Sequence, residues 1–387
     1  MAAEPPLSTL ADLSSYEVSP TTGFVPDTDP LIDLPDAFAP LAVVADDVPG
    51  LLRWGRVRAA IDAMPEVDAT AATTRHEQER ALLVLTTLAN AWVWSDPDGD
   101  LRMPVQLARP LWQLARALDR QPIVHHASMC LWNWRRIDPT QPVSADNSEL
   151  LQTVMGGTDE TWFFTATLGV ELAGAPVLTA LHDAAVASTH HDVDTVEALM
   201  VTVADLVPSL TTALARMREW CDPHIFYHRL RPFLAGWPEP GVVYEGVSPD
   251  PLVLAGGSAG QSSLVQALDA ALGVDHDGSS AGPFLRLMRD YMPPAHRRYL
   301  ADLGTASRIR EVADAAGPST LRDSYNTTVA ELEIFRRRHM ALAMEYVVAP
   351  SGETAATGTG GTDFAVFLRD ARTDTAAGRL PPPGHRG

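Results

Sequence analysis

One histidine and one arginine could together bind a cofactor that contains a metal. His339 follows Arg336 by three residues in a stretch from Leu321 to Val348 that contains neither Gly nor Pro. This spacing predicts one long helix, with Thr320 as its N-cap, on which both side chains share a face. Apolar residues share that face: Leu332, Phe335, Leu342, Ala343 and Tyr346. Such a histidine is usually a core residue with one hydrogen bond, but it could also bind iron while Arg336 pairs with a carboxylate of the cofactor.

A loop rich in glycine and serine, AGGSAGQSS at residues 255–263, precedes the apolar helical sequence LVQALDAALGV. Gly256, Gly257 and Gly260 permit backbone conformations and close approaches that a Cβ would block, and Ser262 is a favourable N-cap. A loop of this kind could bind a ligand, although plain turns have the same composition. The lysine that a phosphate-binding P-loop needs is missing.

The composition excludes several classes of chemistry and partner. The 387 residues carry a net charge of −20, and all 29 basic residues are arginine. Without lysine the chain cannot form a Schiff base or attach pyridoxal phosphate. The acidic balance argues against a nucleic-acid partner and against an anionic membrane surface. Cys130 and Cys221 are the only cysteines, too few for a disulfide framework or a CxxCH haem site. With no signal-peptide pattern and no membrane-spanning segment in the sequence, we predict a soluble, cytoplasmic protein.

Long segments with apolar residues at three- and four-residue spacing predict an all-α fold, without convincing strands. The predicted helices include residues 75–94, 105–118, 161–173, 194–220 and 321–348. The polar, turn-rich residues 137–160 are the best candidate for a domain boundary. We therefore predict a small N-terminal helical domain over residues 1–145, a large helical domain over residues 146–380 and a disordered tail over residues 381–387.

Several of these strings resemble signatures of the indoleamine 2,3-dioxygenase family, haem enzymes that open the indole ring of tryptophan. The loop AGGSAGQSS and the string MPPAHR at residues 292–297 carry the resemblance, together with FRRRHMALAMEYV around His339. The resemblance implies that the larger domain holds haem b through His339 as the proximal iron ligand. It further implies that Arg336, Gly257 and Ser258 contact the haem.

The substrate pocket follows from the same resemblance. WFFTATLGVE at residues 162–171 resembles the distal helix, DPHIFYHRLRPFL at residues 222–234 the substrate-binding helix, and GTGGTD at residues 358–363 a loop that closes over the substrate. The implied substrate-binding residues are His126, Phe163, Thr167, Phe226, Tyr227, Arg231, Ser258, Ala259 and Thr359. Arg231 would bind the carboxylate and Phe226 the indole face, and Pro232 is expected to bias Arg231 away from helical backbone angles.

The implied reaction inserts both atoms of O2 across the indole 2,3-bond of L-tryptophan or a related indoleamine. The product would be N-formylkynurenine, which places the reaction in tryptophan catabolism by the kynurenine route. The iron would be Fe2+ in the active state, an electron donor would reduce it, and no side chain would act as general acid or base.

Three positions depart from the well-known animal enzymes. His126 replaces a tyrosine, Thr167 a serine and Tyr227 a phenylalanine. Two alternatives therefore stay open. One is a related haem enzyme that carries out a different indole oxidation, such as monooxygenation in secondary metabolism. The other is a non-catalytic haem or oxygen-sensing protein.

Overall fold

Two long helices, one in the middle of the chain and one near its C-terminus, organise the fold. The computed structural model describes residues 10–352, 358–361 and 363–382, without the side chain of residue 238. The first half contains α1 (Ala39–Ala45), α2 (Val48–Arg53), α3 (Val57–Asp62), α4 (Arg75–Trp94) and α5 (Val105–Ala117). The middle contains α6 (Thr158–Thr189), α7 (Val193–Leu206), α8 (Pro208–Ala215) and α9 (Pro223–Ile225). The last part contains α10 (Ser263–Leu272), α11 (Ala281–Arg289), α12 (Pro294–Ala306), α13 (Ile309–Ala315), α14 (Thr320–Ala343), α15 (Ala349–Ser351) and α16 (Phe364–Ala377).

Short strands, 3-10 turns and wider π-type turns connect these α-helices. Strands β1 (Arg102–Met103), β4 (Trp237–Tyr244) and β5 (Leu252–Leu254) form a three-stranded sheet in the order β1-β4-β5. Strands β2 (Arg135–Arg136) and β3 (Ser148–Glu149) pair antiparallel. Wide π-type turns occupy Ala127–Leu131, Phe226–Leu230 and Met344–Val348. The predicted all-α class is confirmed, because the strands are few and short. The division into two domains stays a prediction, and residues 383–387 of the predicted tail lie outside the described residues.

Helices α6 and α14 share two neighbours, α7 and α8. Helix α6 packs against α7, α8 and α10, and α14 packs against α7, α8 and α16. Gly174 permits the approach of α10, because a Cβ there would lie 2.4 Å from the Leu264 Cδ1. Ser319, and not the predicted Thr320, is the N-cap of α14, since its Oγ accepts the Arg322 N–H at 3.3 Å. The long helices thereby bring the predicted site segments to one region of the core.

Two stretches, Thr158–Thr189 and Val193–Glu219, are long and apolar enough to cross a membrane by length and composition alone. Within the first, 67% of the most apolar window is buried inside the protein, as expected for the core helix α6. In the second the buried share is 28%, and Pro208 separates α7 from α8. Buried core helices pass the same test, so these stretches are weak indicators of a membrane partner.

Glu160, in the first turn of α6, holds the segment that precedes the helix. Its carboxylate is buried and accepts the N–H groups of Val154, Met155 and Gly156 at 2.7 to 2.9 Å. We expect Glu160→Ala to lower the free energy of unfolding by about 3 kcal/mol or more, because it leaves three backbone donors unsatisfied. Urea denaturation would measure this. Asp194→Ala, at an exposed position in the first turn of α7, should leave the midpoint nearly unchanged, and equal losses for both variants would contradict the role of Glu160.

Candidate active site

A mostly apolar cavity of about 300 Å³ lies between α6, α14 and the glycine loop. Small-molecule sites typically combine apolar walls with a few polar groups in this way. The predicted site residues that line it are His126, Phe163, Thr167, Phe226, Arg231, Gly257, Ser258, Ala259, Arg336, His339 and Thr359. Tyr227 does not line it. Its half-buried ring lies 5.3 Å from the Cζ of Arg231, so Tyr227 contacts the guanidinium from outside the cavity.

His339 presents a neutral imidazole to the cavity. It lies on α14 one turn after Phe335, and the two rings are stacked with centroids 6.4 Å apart. Burial and the nearby charge of Arg336 lower the pKa of His339 to about 4. In the described part of the chain, no hydrogen bond joins its ring nitrogens to another residue. An uncharged imidazole nitrogen without a partner has the free lone pair that a metal ion requires.

Arg336 lies one turn before His339, and its charge is balanced by a buried carboxylate. Its Nη2 donates to the Asp269 Oδ2 at 2.5 Å, whereas its buried Nε has no hydrogen-bond partner among the described residues. Asp269 also lies 3.2 Å from His276, which lies 2.9 Å from Asp374 on α16. The guanidinium therefore keeps one buried donor available for a further anionic group.

Phe226 and Arg231 come from the segment that links α9 to β4, and Phe226 pairs with Phe163 of α6. The rings of Phe163 and Phe226 are 4.6 Å apart and tilted by 34°. Phe226 opens a π-type turn, and Arg231 opens the 3-10 turn Arg231–Leu234 directly after it. Arg231 has helical backbone angles, φ −53° and ψ −38°, so the expected effect of Pro232 on its conformation is wrong. The helical trajectory instead continues through the proline, which occupies the second position of a new turn and loses no needed donor.

The glycine loop is held between two other segments. A Cβ on Gly256 would lie 2.2 Å from the Leu234 oxygen, so only glycine fits there. On the other side the Gly256 N–H donates to the Thr359 oxygen at 3.1 Å, and the Thr359 Oγ1 donates to the Gly257 oxygen at 2.5 Å. Residue 362 of the predicted closing loop lies outside the described residues. The remainder of that loop contacts the glycine loop directly.

A buried ion pair in the cavity wall was not predicted from the sequence. His126 Nε2 lies 2.9 Å from Glu171 Oε1, and the same oxygen accepts the Ser262 hydroxyl at 2.6 Å. Burial alone would lower the pKa of His126, but the contacts with Cys130 and Glu171 outweigh it and raise the pKa to about 10. Glu171 follows Thr167 by four residues, so helical spacing within WFFTATLGVE was the available signal for its position.

A family model described as indoleamine 2,3-dioxygenase matches residues 12–378. The chain belongs to that family. Indoleamine 2,3-dioxygenase 1 of Rattus norvegicus is 34% identical, over 96% of this chain and 96% of its own length. Indoleamine 2,3-dioxygenase 2 of Mus musculus is 34% identical, over 99% of this chain and 98% of its own length. A myoglobin of Haliotis madaka is also similar, with 32% identity over 94% of this chain and 97% of its own length. The resemblance found in the sequence is therefore confirmed over nearly the whole chain.

Membership of the indoleamine 2,3-dioxygenase family supports an oxidoreductase of the dioxygenase type that depends on haem. The described residues contain no group of three or more His, Cys, Asp or Glu side chains that could hold a metal ion. His339 alone therefore suits a metal whose other ligands come from a cofactor, as the porphyrin nitrogens do in haem. The unpartnered Nε of Arg336 suits a haem propionate. The residues on the cavity wall thus fit the cofactor of the family.

Two adjacent histidines should have opposite charge states. The pKa of His125 is lowered well below 6.5 by burial and by Arg120, and its Nδ1 accepts the Ser128 N–H at 3.0 Å. His126 has its pKa raised to about 10. Near pH 8 we expect side-chain ¹⁵N NMR to show a neutral His125 and a protonated His126, which loses its proton only as the pH rises through about 10. The signals that disappear in the variant His126→Gln are those of His126. Titration of both rings near pH 6.5 would contradict the ion pair.

Proposed function

We propose that this member of the indoleamine 2,3-dioxygenase family inserts both atoms of O2 across the indole 2,3-bond of L-tryptophan or a related indoleamine, giving N-formylkynurenine. One observation carries the proposal. The same cavity is lined by the neutral imidazole of His339, the guanidinium of Arg231 and the aromatic pair Phe163 and Phe226. A candidate metal ligand, a carboxylate-binding group and an indole-binding surface in one cavity together suit an indole amino acid as substrate.

In the proposed holoenzyme the chain binds and orients the cofactor through α14 and the glycine loop. His339 binds the iron of haem b, Arg336 pairs with a propionate through its unpartnered Nε, and Gly257 and Ser258 contact the haem. Ferrous haem would activate O2, and an electron donor would reduce the iron to the ferrous state. Because burial keeps the pKa of His339 at about 4, its imidazole remains available to the metal across the physiological pH range.

The remaining wall residues position the amino acid and exclude water. Arg231 binds the substrate carboxylate, because a planar guanidinium matches a carboxylate with two parallel hydrogen bonds. Phe163 and Phe226 pack against the indole, with Thr167 one turn further along α6. Thr359 fastens the closing loop to Gly257 beside Ser258 and Ala259. Tyr227 supports the Arg231 guanidinium from outside the cavity.

The same proposal covers the setting of the reaction. We assign the protein to tryptophan catabolism in the cytoplasm, with a small indole amino acid as substrate and without a nucleic-acid or membrane partner. The net charge of −20 supports the absence of a nucleic-acid partner. We also propose a domain boundary between residues 145 and 146, with the haem in the larger domain. The polar, turn-rich segment that starts at residue 137 leads into α6 and supports a boundary there.

A second candidate function has a specific observation in its favour. Relatives from two Haliotis species carry the name myoglobin and match at 32% identity over 94% of this chain. The second candidate is accordingly a haem protein that binds oxygen and turns over no indole. Arg231 at the cavity argues for the dioxygenase, since oxygen binding alone has no use for a carboxylate-binding group.

Product analysis separates these functions. Reduced, haem-reconstituted protein is mixed with L-tryptophan in air, and products are identified by mass. We expect ring opening with a gain of two oxygen atoms. A gain of one oxygen would support the monooxygenase alternative, and a stable oxygen complex without turnover would support the oxygen-binding protein. His339→Ala should lose haem and activity, whereas the exposed His228→Ala should retain both. Full haem binding by His339→Ala would contradict the assignment of the iron ligand.

The carboxylate-binding role of Arg231 is tested with two ligands. We expect Arg231→Ala to weaken the binding of L-tryptophan by about tenfold or more, because a hydrogen-bonded charge pair contributes ~1.5 to 3 kcal/mol. Tryptamine has the same indole and amine but no carboxylate, so its affinity should hardly change. Dissociation constants are measured from the perturbation of the haem absorbance. An equal loss of affinity for both ligands would show that Arg231 acts through packing.

A further inference from the structure

The wall of the cavity formed by α6 changes from apolar to charged along the helix. Phe163, Thr167 and Glu171 follow one another at four-residue intervals and line the same cavity. Each interval corresponds to ~6 Å along the helix axis. Glu171 therefore lies roughly 12 Å along α6 from the aromatic pair that Phe163 forms with Phe226. A substrate that packs its indole against that pair and extends along α6 reaches Glu171.

Glu171 is the only carboxylate among the described residues that line the cavity. Its side chain is only 3% exposed, and its Oε1 is occupied by His126 and Ser262. Its Oε2 is buried and has no hydrogen-bond partner in the described part of the chain. Buried carboxylate oxygens are normally hydrogen-bonded, because an unmet acceptor costs free energy. An unpartnered oxygen beside a ligand cavity thus indicates a donor on the ligand.

Thr167 occupies the intermediate position and has a different role. Its Oγ1 donates to the Phe163 oxygen at 2.7 Å, so only its lone pairs remain for another group. Thr167 can therefore accept a hydrogen bond from the indole N–H. Because Glu171 lies one turn beyond Thr167, the donor that reaches it must be carried by the part of the indole beyond the five-membered ring, which is the six-membered ring.

We propose that Glu171, held in place by His126 and Ser262, determines specificity by accepting a hydrogen bond from a hydroxyl or amino group on the six-membered ring of an indole amino acid. This inference rests on the proposed function, since it takes Arg231 and the aromatic pair as the sites of the carboxylate and the indole. The contact with His126 fixes the Glu171 carboxyl group in a wall of low polarity, where a hydrogen bond to it is less weakened by competing water.

The test compares ligands of similar size that differ in one donor. The ligands are 5- and 6-hydroxy-L-tryptophan against 5- and 6-methyl-L-tryptophan, and dissociation constants come from the haem absorbance of the reconstituted protein. We expect the protein to bind at least one hydroxy compound about tenfold more tightly than its methyl counterpart. In Glu171→Gln, which retains the shape and a contact to His126, this ratio should fall toward one. In His126→Phe it should also fall.

Glu160→Gln is the matched control, because it makes the same change in the same helix at a buried glutamate that does not line the cavity. It should lower the midpoint of thermal unfolding but leave the hydroxy-to-methyl ratio unchanged. A ratio near one in the unmodified protein, or a ratio preserved in Glu171→Gln, would overturn the inference. A further comparison uses 1-methyl-L-tryptophan, which lacks the indole N–H. If Glu171→Gln removed the preference for L-tryptophan over this compound, the inference would also be overturned, because Glu171 would then accept the indole N–H.

The outcomes distinguish this inference from the proposed function. Turnover of L-tryptophan with no preference for hydroxylated rings would leave the dioxygenase intact and remove only the role of Glu171. Absence of binding by L-tryptophan and by all its analogues would remove the proposed function, and with it the inference.

Discussion

The arrangement of the site depends on the close contact of two backbone segments at Gly236 and Gly256. A Cβ on Gly236 would lie 2.5 Å from the Gly256 nitrogen, and a Cβ on Gly256 would lie 2.5 Å from the Gly236 nitrogen. Because neither segment carries a side chain there, the end of the Arg231–Leu234 turn rests directly on the glycine loop. The arginine, the loop and Thr359 consequently share one wall of the cavity. Any larger residue at either glycine would separate them.

Charge is distributed unevenly around this cavity. On α14 the imidazole of His339 is neutral because burial and Arg336 both disfavour its protonation. On the opposite side, His126 is protonated because Cys130 and Glu171 favour the charged form more strongly than burial opposes it. Two histidines lining one cavity thus differ in charge, and the neutral ring of His339 suits the metal binding proposed above. The difference comes from the neighbours of each ring: Arg336 disfavours the charged form of His339, whereas Cys130 and Glu171 favour that of His126.

Sequence patterns predicted the helices well where one amphipathic period was uninterrupted. Helix α4 begins and ends at the predicted residues 75 and 94, and α5 ends one residue before its predicted limit. Helix α6 is much longer than the predicted segment 161–173, because it continues through Gly174 and Pro176, which are local signals for a break. Tertiary packing overrides them: Gly174 accommodates Leu264 of α10. In contrast, the predicted helix 194–220 divides at Pro208.

The candidate site was predictable where family strings exist and less so where contacts join distant segments. Ser262 occupies the predicted N-cap position of α10, but its hydroxyl makes no cap hydrogen bond and instead donates to Glu171, 91 residues away in sequence. Gln261 accepts the His126 N–H across 135 residues. Periodicity alone does not reveal such contacts, because they arise only when α6, α10 and the π-type turn at Ala127 are already packed together.

Arg336 shares Asp269 with His276, and His276 shares Asp374 with the hydroxyl of Ser279. Helix α16 therefore influences the charge balance of Arg336, which lines the cavity. The packing of α16 against the core and the binding of an anionic ligand to the Arg336 guanidinium are therefore linked equilibria. A ligand that competes with Asp269 for this guanidinium changes the free energy of docking α16, and by reciprocity the docked helix changes the affinity for that ligand by the same factor.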